Sequence, residues 1–217
     1  MKILAVDTAL GGCSAALLED GKTLAHIFEA MDRGHAERLA PMVDETMKDF
    51  DFAALDRLAV TTGPGTFTGQ RVGLAFMRGL RLALKKPLTG VTTLEVIAAS
   101  AMDQTRQTRA AVIHDARREE AYLLLQDGEA TMQQPVVMLF KDAVECIRAF
   151  GPCAVAGTGA QAAQETLGHD FVLSSVRQPD ALWVARLAAK KAPSQDVPGP
   201  LYLRAPDAKL PGGKALV

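Results

Sequence analysis

The stretch richest in potential chemistry is a glycine- and threonine-rich segment, residues 61–69, that precedes a helical pattern. Its Gly63-Pro64-Gly65 turn and the threonines that follow place backbone N–H groups and hydroxyls together at a helix start. Such an arrangement can bind an anion such as phosphate, or it can cap a strand-to-helix connection. Because the lysine of a phosphate-binding P-loop is absent, the residues favour the capped connection over a phosphate site.

A second candidate feature lies on the helix after this loop. Ala75, Gly79 and Ala83 recur every four residues, with Val72 and Phe76 beside them. Small side chains at this spacing form a stripe on which another helix can pack closely. The stripe is a candidate partner interface, although packing on the chain's own sheet would require the same residues.

Hydrophobic patterning supplies the elements that must position these features. Apolar runs at residues 3–6, 13–18 and 23–29 predict an antiparallel meander, with Asp20-Gly21 supplying a tight hairpin turn. The three- and four-residue spacing of apolar side chains then predicts a helix over 36–50. A strand at 58–60, the glycine-rich loop and a helix over 72–84 follow.

The second half of the chain repeats the first. Residues 111–115 and 121–128 match the apolar run, the aspartate and the following strand of residues 4–7 and 15–21. This repetition predicts two similar lobes, 1–103 and 104–217. A helix over 139–150, a strand at 154–156 and a helix over 181–191 continue the α/β alternation, and the region from Pro193 is expected to be irregular.

Composition narrows the function classes. The chain has 217 residues, 48% hydrophobic and 23% charged, with a formal net charge of -1, so it can bury a core and has no global attraction for nucleic acid or anionic membranes. Arg71, Arg78, Arg81 and Lys85 lie on one flank of a helix and are expected to be solvated. The three scattered cysteines and the lack of an export or membrane-spanning segment predict free thiols and a cytoplasmic protein.

Several motifs resemble those of one family. They are Ile3-Leu4-Ala5-Val6-Asp7-Thr8, His35-Ala36-Glu37-Arg38-Leu39-Ala40-Pro41, the loop from Gly63 through Ala75, and Pro87 through Glu95. Thinner matches follow at residues 115–122 and 200–204. Together they resemble the TsaB (YeaZ) family over nearly the whole chain.

The resemblance implies an α/β fold of the ASKHA class (actin, Hsp70 and sugar kinases), with two RNase H-like lobes that are each a mixed sheet flanked by helices. It also implies a non-catalytic, dimerising subunit of the bacterial machinery that adds threonylcarbamoyl to N6 of adenosine 37 in tRNAs reading ANN codons. The implied partners are the catalytic paralogue TsaD and the ATPase TsaE, with a homodimer when the chain is alone and tRNA reached through the complex.

The same resemblance implies where partners would bind. The helix over 36–50 and the helix over 72–84 would pack against the same two helices of TsaD or of a second copy. The expected interface residues are His35, Leu39, Met42, Val43, Arg71, Val72, Ala75, Phe76, Gly79 and Ala83.

Catalysis by this chain is not expected. TsaD binds a metal through two histidines four residues apart, and the matching positions here are Thr93 and Ile97, which cannot supply an imidazole. The sequence therefore predicts no metal and no cofactor bound by this chain, and the resemblance implies that the partner subunits use ATP and a metal. The peptidase activity long associated with the family would lack both the metal and an evident nucleophile beside a histidine.

An autonomous nucleotide-binding ATPase or phosphotransferase is the alternative. Asp7 and Asp115 would then face a cleft between the lobes, as the paired acids of sugar kinases do, or they would merely cap turns. The residues expected to form this phosphate or nucleotide cleft are Asp7, Thr8, Gly63, Gly65, Thr66 and Asp115. A kinase-like adenosine motif is represented by residues 157–160.

Overall fold

Five strands form the first sheet: β1 (Lys2–Asp7), β2 (Gly12–Glu19), β3 (Lys22–Ala30), β4 (Arg57–Thr61) and β5 (Leu88–Val91). The structure, a computed structural model, describes residues 1–192 and 196–204. The strand order is β3-β2-β1-β4-β5; β1, β2 and β3 pair antiparallel, whereas β1, β4 and β5 pair parallel. The predicted hairpin turn is confirmed, because Asp20 and Gly21 have φ values of 48° and 84°.

The second sheet repeats this topology. Its strands are β6 (Arg109–Asp115), β7 (Glu120–Asp127), β8 (Ala130–Leu139), β9 (Ala154–Ala156) and β10 (Val172–Leu173). Their order is β10-β9-β6-β7-β8, with β6, β7 and β8 antiparallel and β6, β9 and β10 parallel. The predicted two-lobed α/β fold with mixed sheets is therefore confirmed.

Within the described residues six α-helices cover the sheets: α1 (His35–Met47), α2 (Phe67–Leu84), α3 (Thr93–Thr105), α4 (Phe140–Phe150), α5 (Ala160–Leu167) and α6 (Ala181–Lys190). Helices α1 and α2 pack on the outer face of the first sheet, and α4 and α5 pack on the outer face of the second. Helices α3 and α6 lie between the two sheets, where they contact each other.

The two helices between the sheets are exchanged between the halves of the chain, so each packs on the sheet of the other half. Helix α6, from the second half, packs on the first sheet, and Val184 and Ala185 join Ile3 and Ala5 in one core cluster. Helix α3, from the first half, packs on the second sheet. The division into 1–103 and 104–217 stays a prediction, and residues 205–217 of its second lobe lie outside the described residues; the packing adds that each sheet is covered on its inner face by a helix from the other half.

Strand β1 is apolar at successive positions because both of its faces are covered. Leu4 and Val6 face the outer layer of α1 and α2, whereas Ile3 and Ala5 face α6. A strand buried on both sides reads as a continuous apolar run rather than as an alternation. This arrangement ends at Asp7, where the chain turns under the loop that precedes α2.

Several element boundaries differ from the sequence expectations. Helix α2 begins at Phe67 rather than at residue 72, because the Thr66 hydroxyl accepts a hydrogen bond from the Gly69 N–H and caps the helix there. Helix α1 ends at Met47 rather than at residue 50. The sequence patterns did not predict β5, β8, α3, α5 or β10.

The region from Pro193 is only partly described. Residues 196–204, hereafter segment 196–204, contain no helix or strand, as expected, whereas 193–195 and 205–217 lie outside the described residues. Within the described ranges, no helix combines the length and the apolar character needed to cross a membrane. The three cysteines are free thiols; Cys13 and Cys153 are buried and Cys146 is half-buried.

Candidate functional site

The loop between β4 and α2 is packed tightly on the turn that follows β1. The Thr66 N–H donates to the Ala9 carbonyl at 2.8 Å. A Cβ at Gly65 would lie 2.2 Å from the Ala9 oxygen, and one at Gly69 would lie 2.2 Å from the Thr8 oxygen. Both positions therefore require glycine because backbone meets backbone there. The Thr66 and Gly69 N–H groups are engaged within the chain, which favours the capped connection over an anion site.

Asp7 lies beneath this loop and is fully buried. Its Oδ1 accepts hydrogen bonds from the Thr61 hydroxyl at 2.5 Å and the Ala9 N–H at 3.2 Å, whereas Oδ2 has no hydrogen-bond partner among the described residues. Burial raises the pKa of Asp7 to about 7, although the hydrogen bonds from Thr61 and Ala9 act in the opposite direction. The prediction that Asp7 faces a cleft is corrected, because its carboxyl lies in the protein interior.

Thr8 and Gly63 also lie behind the cleft rather than in it. The buried Thr8 hydroxyl donates to the Gly69 carbonyl at 2.7 Å and accepts from the Gly73 N–H at 3.0 Å, so it joins β1 to the start of α2. A Cβ at Gly63 would lie 2.4 Å from Oε1 of Gln70. Their expected contact with a phosphate is corrected: both positions are occupied by packing within the lobe.

The other three expected cleft residues do come together. Gly65, Thr66 and Asp115 line a cavity of about 500 Å³ between the lobes. The exposed Asp115 accepts the Arg117 N–H on Oδ1 at 2.7 Å, and its own N–H donates to the Thr158 hydroxyl at 2.9 Å. The turn that follows Asp115 has left-handed backbone at Arg117, Arg118 and Glu119.

Sequence reasoning missed the wall of this cavity that segment 196–204 supplies. Leu201, Tyr202, Leu203 and Arg204 all line the cavity. Four of the five residues of the 200–204 motif thus line the cavity, so the match of this motif to the family was the signal in the sequence that could have indicated them. What it could not show is where the segment runs, because its partners are far away along the chain.

Segment 196–204 is held first against α2 and β4. The Leu201 N–H donates to the Thr62 carbonyl at 2.7 Å, and Nη2 of Arg78 donates to the Pro198 carbonyl at 2.6 Å. A Cβ at Gly90 would lie 2.7 Å from Cβ of Pro198, so the glycine makes room for the segment. The basic flank of α2 therefore holds this segment in addition to meeting solvent.

The same segment then crosses to the second lobe. Nε of Arg71 donates to the Tyr202 hydroxyl at 2.8 Å, and the rings of Phe67 and Tyr202 lie 6.1 Å apart. Arg204 forms an ion pair with the Glu120 carboxylate and donates to the Arg117 carbonyl at 3.4 Å. Segment 196–204 is thus a covering strip that joins the first turn of α2 to the turn after β6.

The residues of the expected adenosine motif, 157–160, have a structural role in this arrangement. Gly157 has a φ of 97°, and a Cβ there would lie 2.5 Å from the Ile113 oxygen. The Gly159 N–H donates to that same oxygen at 3.0 Å. Close backbone packing at the start of α5 therefore explains why glycine stands at both positions.

The small-residue stripe of α2 faces outward. Ala75, Gly79 and Ala83 are exposed, and a Cβ at Gly79 would have no heavy atom within 4 Å. Leu82, which sequence reasoning missed, is 77% exposed on the same helix. Of the other expected interface residues on α2, Arg71 is exposed and Val72 and Phe76 are half-buried against the first lobe's core.

The four expected interface residues on α1 are instead part of the monomer's interior. Leu39, Met42 and Val43 are 0–2% exposed and belong to the core cluster under the first sheet. His35 is also buried, and its Nε2 lies 3.1 Å from the Leu10 carbonyl oxygen. The expectation that these side chains meet a partner is therefore corrected: they hold α1 on its own sheet.

The two positions that the family resemblance aligns with the metal-binding histidines of TsaD lie on α3. Thr93 and Ile97 are both fully buried there. In residues 1–192 and 196–204 no group of three or more His, Cys, Asp or Glu side chains is arranged to hold a metal ion. The residues present at this place do not fit the paralogue's metal.

Comparisons with known proteins agree with this architecture. A family model described as "TsaD: tRNA N6-adenosine threonylcarbamoyltransferase" matches residues 22–170. The chain is 41% identical over 124 residues to the tRNA threonylcarbamoyladenosine biosynthesis protein TsaB of Escherichia coli, covering 56% of this chain and 53% of that protein. The chain thus spans about half the length of the curated TsaB relatives from E. coli and Haemophilus influenzae.

Two further relatives match over nearly their whole length. An uncharacterized protein of Mycobacterium tuberculosis is 36% identical over 214 residues, which cover 95% of this chain and 93% of that protein. A crystal structure of an uncharacterized protein with similarity to peptidase YEAZ, from Pseudomonas aeruginosa, has a TM-score of 0.80 and 31% identity, covering 94% of this chain and 99% of that one.

Proposed function

Because this chain belongs to the TsaB (YeaZ) family, we propose that it is the non-catalytic, dimerising subunit of a cytoplasmic complex for tRNA threonylcarbamoyladenosine biosynthesis. In this proposal it pairs with TsaD, the transferase acting on N6 of adenosine 37 in tRNAs reading ANN codons, and keeps TsaD active. TsaE joins the pair, tRNA is reached through the complex, and the partner subunits use the ATP and the metal. Alone, the chain forms a homodimer.

The exposed stripe on α2 is the observation that carries this proposal. Ala75, Gly79 and Ala83 leave the helix backbone accessible, and open space above Gly79 allows another helix to approach closely. The exposed Leu82 beside them adds apolar area to the same face. A closely approaching helix buries this area and fits a scaffold subunit.

The neighbouring helix α1 contributes to this surface through different residues from those expected. Ala36 and Ala40 are exposed on α1, whereas the four expected residues point into the core. Helices α1 and α2 contact each other on the outer face of the first sheet, so these exposed alanines lie on the helix next to the α2 stripe. We therefore assign the α1 part of the interface to Ala36 and Ala40.

Light scattering after size exclusion tests the proposal, using the full chain alone and mixed with TsaD from the same organism. The chain alone is expected as a dimer, and the mixture as a new one-to-one species. Gly79→Trp and Ala75→Trp place a large ring on the stripe and are expected to abolish that species while the circular dichroism spectrum is unchanged. Ala162→Trp, at an exposed alanine on α5, is the matched control and is expected to leave pairing intact.

Intact pairing in both stripe variants would reject the α2 surface as the docking site. Absence of any complex with TsaD, even with TsaE and ATP present, would reject the scaffold function as a whole. Equal loss of pairing in Ala162→Trp would show that the ring acts through folding rather than through the interface.

The interlobe cavity supports the second candidate, an autonomous ATPase or phosphotransferase. Asp115 lines the cavity and is exposed, so it is the acid able to reach a bound ligand, unlike the buried Asp7. The engaged N–H groups of Thr66 and Gly69 weigh against phosphate binding at the loop. ATP hydrolysis by the purified chain that is lost in Asp115→Asn would favour this candidate, whereas no hydrolysis above buffer would reject it.

A further inference from the structure

A second cavity, of about 600 Å³, lies between α3, α6 and the turn that joins β7 to β8. It shares no lining residue with the interlobe cavity, and no residue expected to bind a partner or a nucleotide lines it. Its volume is within the range of small-molecule sites, which is about 300–1,000 Å³. The proposed scaffold function therefore assigns no role to this cavity.

Apolar and aromatic side chains form one part of the lining. Ala99 and Met102 come from α3, and Trp183 and Leu187 come from α6. Trp183 is half-buried, and the guanidinium carbon of Arg186 lies 4.5 Å from its ring centroid. An indole at a cavity wall offers a flat surface on which a planar ring can stack.

The charges in the lining are matched except at one residue. Asp103 is 3.7 Å from Arg106, Glu129 is 2.7 Å from Lys190, and Glu95 is 3.2 Å from Lys191.

Arg186 is the exception among the lining cations that the structure describes, because its partner is the Trp183 ring instead of a carboxylate. Stacking uses the flat face of the guanidinium and leaves the N–H donors at its edge available. Among the described residues, no carboxylate lies within ion-pair distance of this positive charge.

The wall opposite α6 is already formed. Nε2 of Gln126 donates to the Gly128 carbonyl at 3.1 Å, and the Thr131 hydroxyl donates to Oε1 of Gln126 at 3.2 Å. These bonds brace the turn between β7 and β8. A ligand in the cavity would contact this turn on one side and α6 on the other without ordering either of them.

We propose that this cavity binds a small planar aromatic anion, with its ring against Trp183 and its anionic group on the edge of the Arg186 guanidinium. The flat indole of Trp183 favours a planar ring in the ligand, and the Arg186 cation favours a negative charge on it. The site does not depend on the proposed scaffold function, and it holds whether or not the chain pairs with TsaD.

Trp183 is the single tryptophan of the chain, so its indole N–H gives one side-chain signal in a proton–nitrogen correlation spectrum. We would titrate the full chain with 2-naphthoate and, as its uncharged counterpart, 2-naphthamide. Naphthoate is expected to shift the Trp183 signal saturably and to bind at least about tenfold more tightly than naphthamide, because the amide carbonyl still accepts a hydrogen bond from Arg186 but carries no negative charge to pair with the guanidinium.

Variants separate charge from shape. Arg186→Gln is expected to remove the preference for naphthoate, and Arg186→Lys to retain part of it. Ala99→Leu fills the cavity and is expected to abolish binding of both compounds. Arg117→Gln, in the lining of the interlobe cavity, is the control and is expected to change neither titration.

Three results would overturn the proposal. They are a Trp183 signal that naphthoate does not shift saturably, equal affinity for naphthoate and naphthamide, or an unchanged preference in Arg186→Gln. Circular dichroism of each variant confirms folding, and if Ala99→Leu fails to fold, the Arg186 pair decides the outcome.

Discussion

The hydroxyl of Tyr202 accepts a hydrogen bond of 2.8 Å from Nε of Arg71, which joins two residues 131 positions apart. The Arg71 guanidinium also lies 3.4 Å from the Phe67 ring centroid, and that ring stacks with Tyr202. Segment 196–204 is thereby anchored on the first turn of α2, beside the proposed partner surface. One side chain, Tyr202, thus lies at both the interlobe cavity and the flank of α2.

This anchoring predicts graded losses at Tyr202. Tyr202→Phe removes the hydrogen bond and is expected to lower the free energy of unfolding by about 0.5–1.5 kcal/mol. Tyr202→Ala also removes the stacking on Phe67 and is expected to cost a further amount of about 0.5–1.5 kcal/mol. Urea unfolding of the two variants measures both steps. Wild-type stability in Tyr202→Ala would show that segment 196–204 is not held as described.

Gly63 is predicted to be intolerant of any side chain. Its φ is 105°, and a Cβ would lie 2.4 Å from Oε1 of Gln70 and 3.0 Å from the Leu201 oxygen. Gly63→Ala is expected to destabilise the chain by roughly 2–4 kcal/mol, from backbone strain together with overpacking.

Gly34→Ala is the matched control for this substitution. Gly34 has a φ of 89° but open space around its Cβ position, so it carries the backbone strain without the clash. The loss at Gly34 is expected to be smaller by about 1–3 kcal/mol. Equal losses at the two glycines would show that the clashes with Gln70 and Leu201 contribute nothing.

Gly79 is predicted to lower the stability of the monomer while it lets a partner helix approach α2 closely. Because it lies inside α2 with open space around its Cβ position, Gly79→Ala is expected to raise the free energy of unfolding by about 0.5–1 kcal/mol. Thermal unfolding at a concentration where the chain is monomeric measures this gain. A loss of stability would indicate that the glycine is required for the fold.

Asp7 is predicted to make the stability depend on pH. Its folded pKa is about 7 and its ordinary value is 3.8, so between these values the folded chain binds more protons than the unfolded chain. Its contribution to stability therefore falls as the pH rises from 4 to 7 and is constant above that. Asp7→Asn is expected to gain roughly 1–3 kcal/mol relative to wild type between pH 4 and pH 8.

Denaturant unfolding at pH 4, 6 and 8 measures this difference. The pH 4 comparison is the internal control, because the carboxyl is neutral in the folded state there. A constant difference between Asp7→Asn and wild type across the three pH values would contradict the buried, protonated carboxyl.

His114 is predicted to make a contribution to stability that rises with pH, opposite in sign to that of Asp7. Burial lowers its pKa from 6.5 to about 4, although the nearby Asp115 raises it in part. Between pH 4 and 6.5 the unfolded chain binds more protons, so stability conferred by the neutral imidazole is present above 6.5 and is lost as the pH falls. His114→Gln is expected to remove this rising contribution, roughly 1–3 kcal/mol over the window, so that stability falls more steeply with rising pH because the opposite contribution of Asp7 remains.

The measurement is the same unfolding series, extended to pH 4.5 and 5.5. A double variant, Asp7→Asn with His114→Gln, is expected to depend on pH less than either single variant, because the two contributions oppose each other in wild type. If His114→Gln keeps the wild-type slope below pH 6.5, the imidazole is not buried in its neutral form.

The sequence by itself determined the features that depend on neighbouring residues. The period of the apolar side chains indicated strands at β1 and β2 and a helix at α1, and Asp20-Gly21 indicated the turn. The repeat of an apolar run, an aspartate and a second strand indicated two similar lobes. These signals are local because hydrogen bonding and side-chain direction within one element follow its own period.

Only the tertiary structure decided which side chains are available to a partner or a ligand. The family resemblance placed Leu39 at an interface and the spacing of small residues placed Ala75 there, but the first sheet buries Leu39 and leaves Ala75 exposed. Asp7 and Asp115 end similar strands, yet the loop before α2 covers Asp7 alone. Tyr202 reaches the interlobe cavity because residues distant along the chain hold it there. Burial and electrostatics depend on such distant neighbours, which the spacing of residues along one element does not specify.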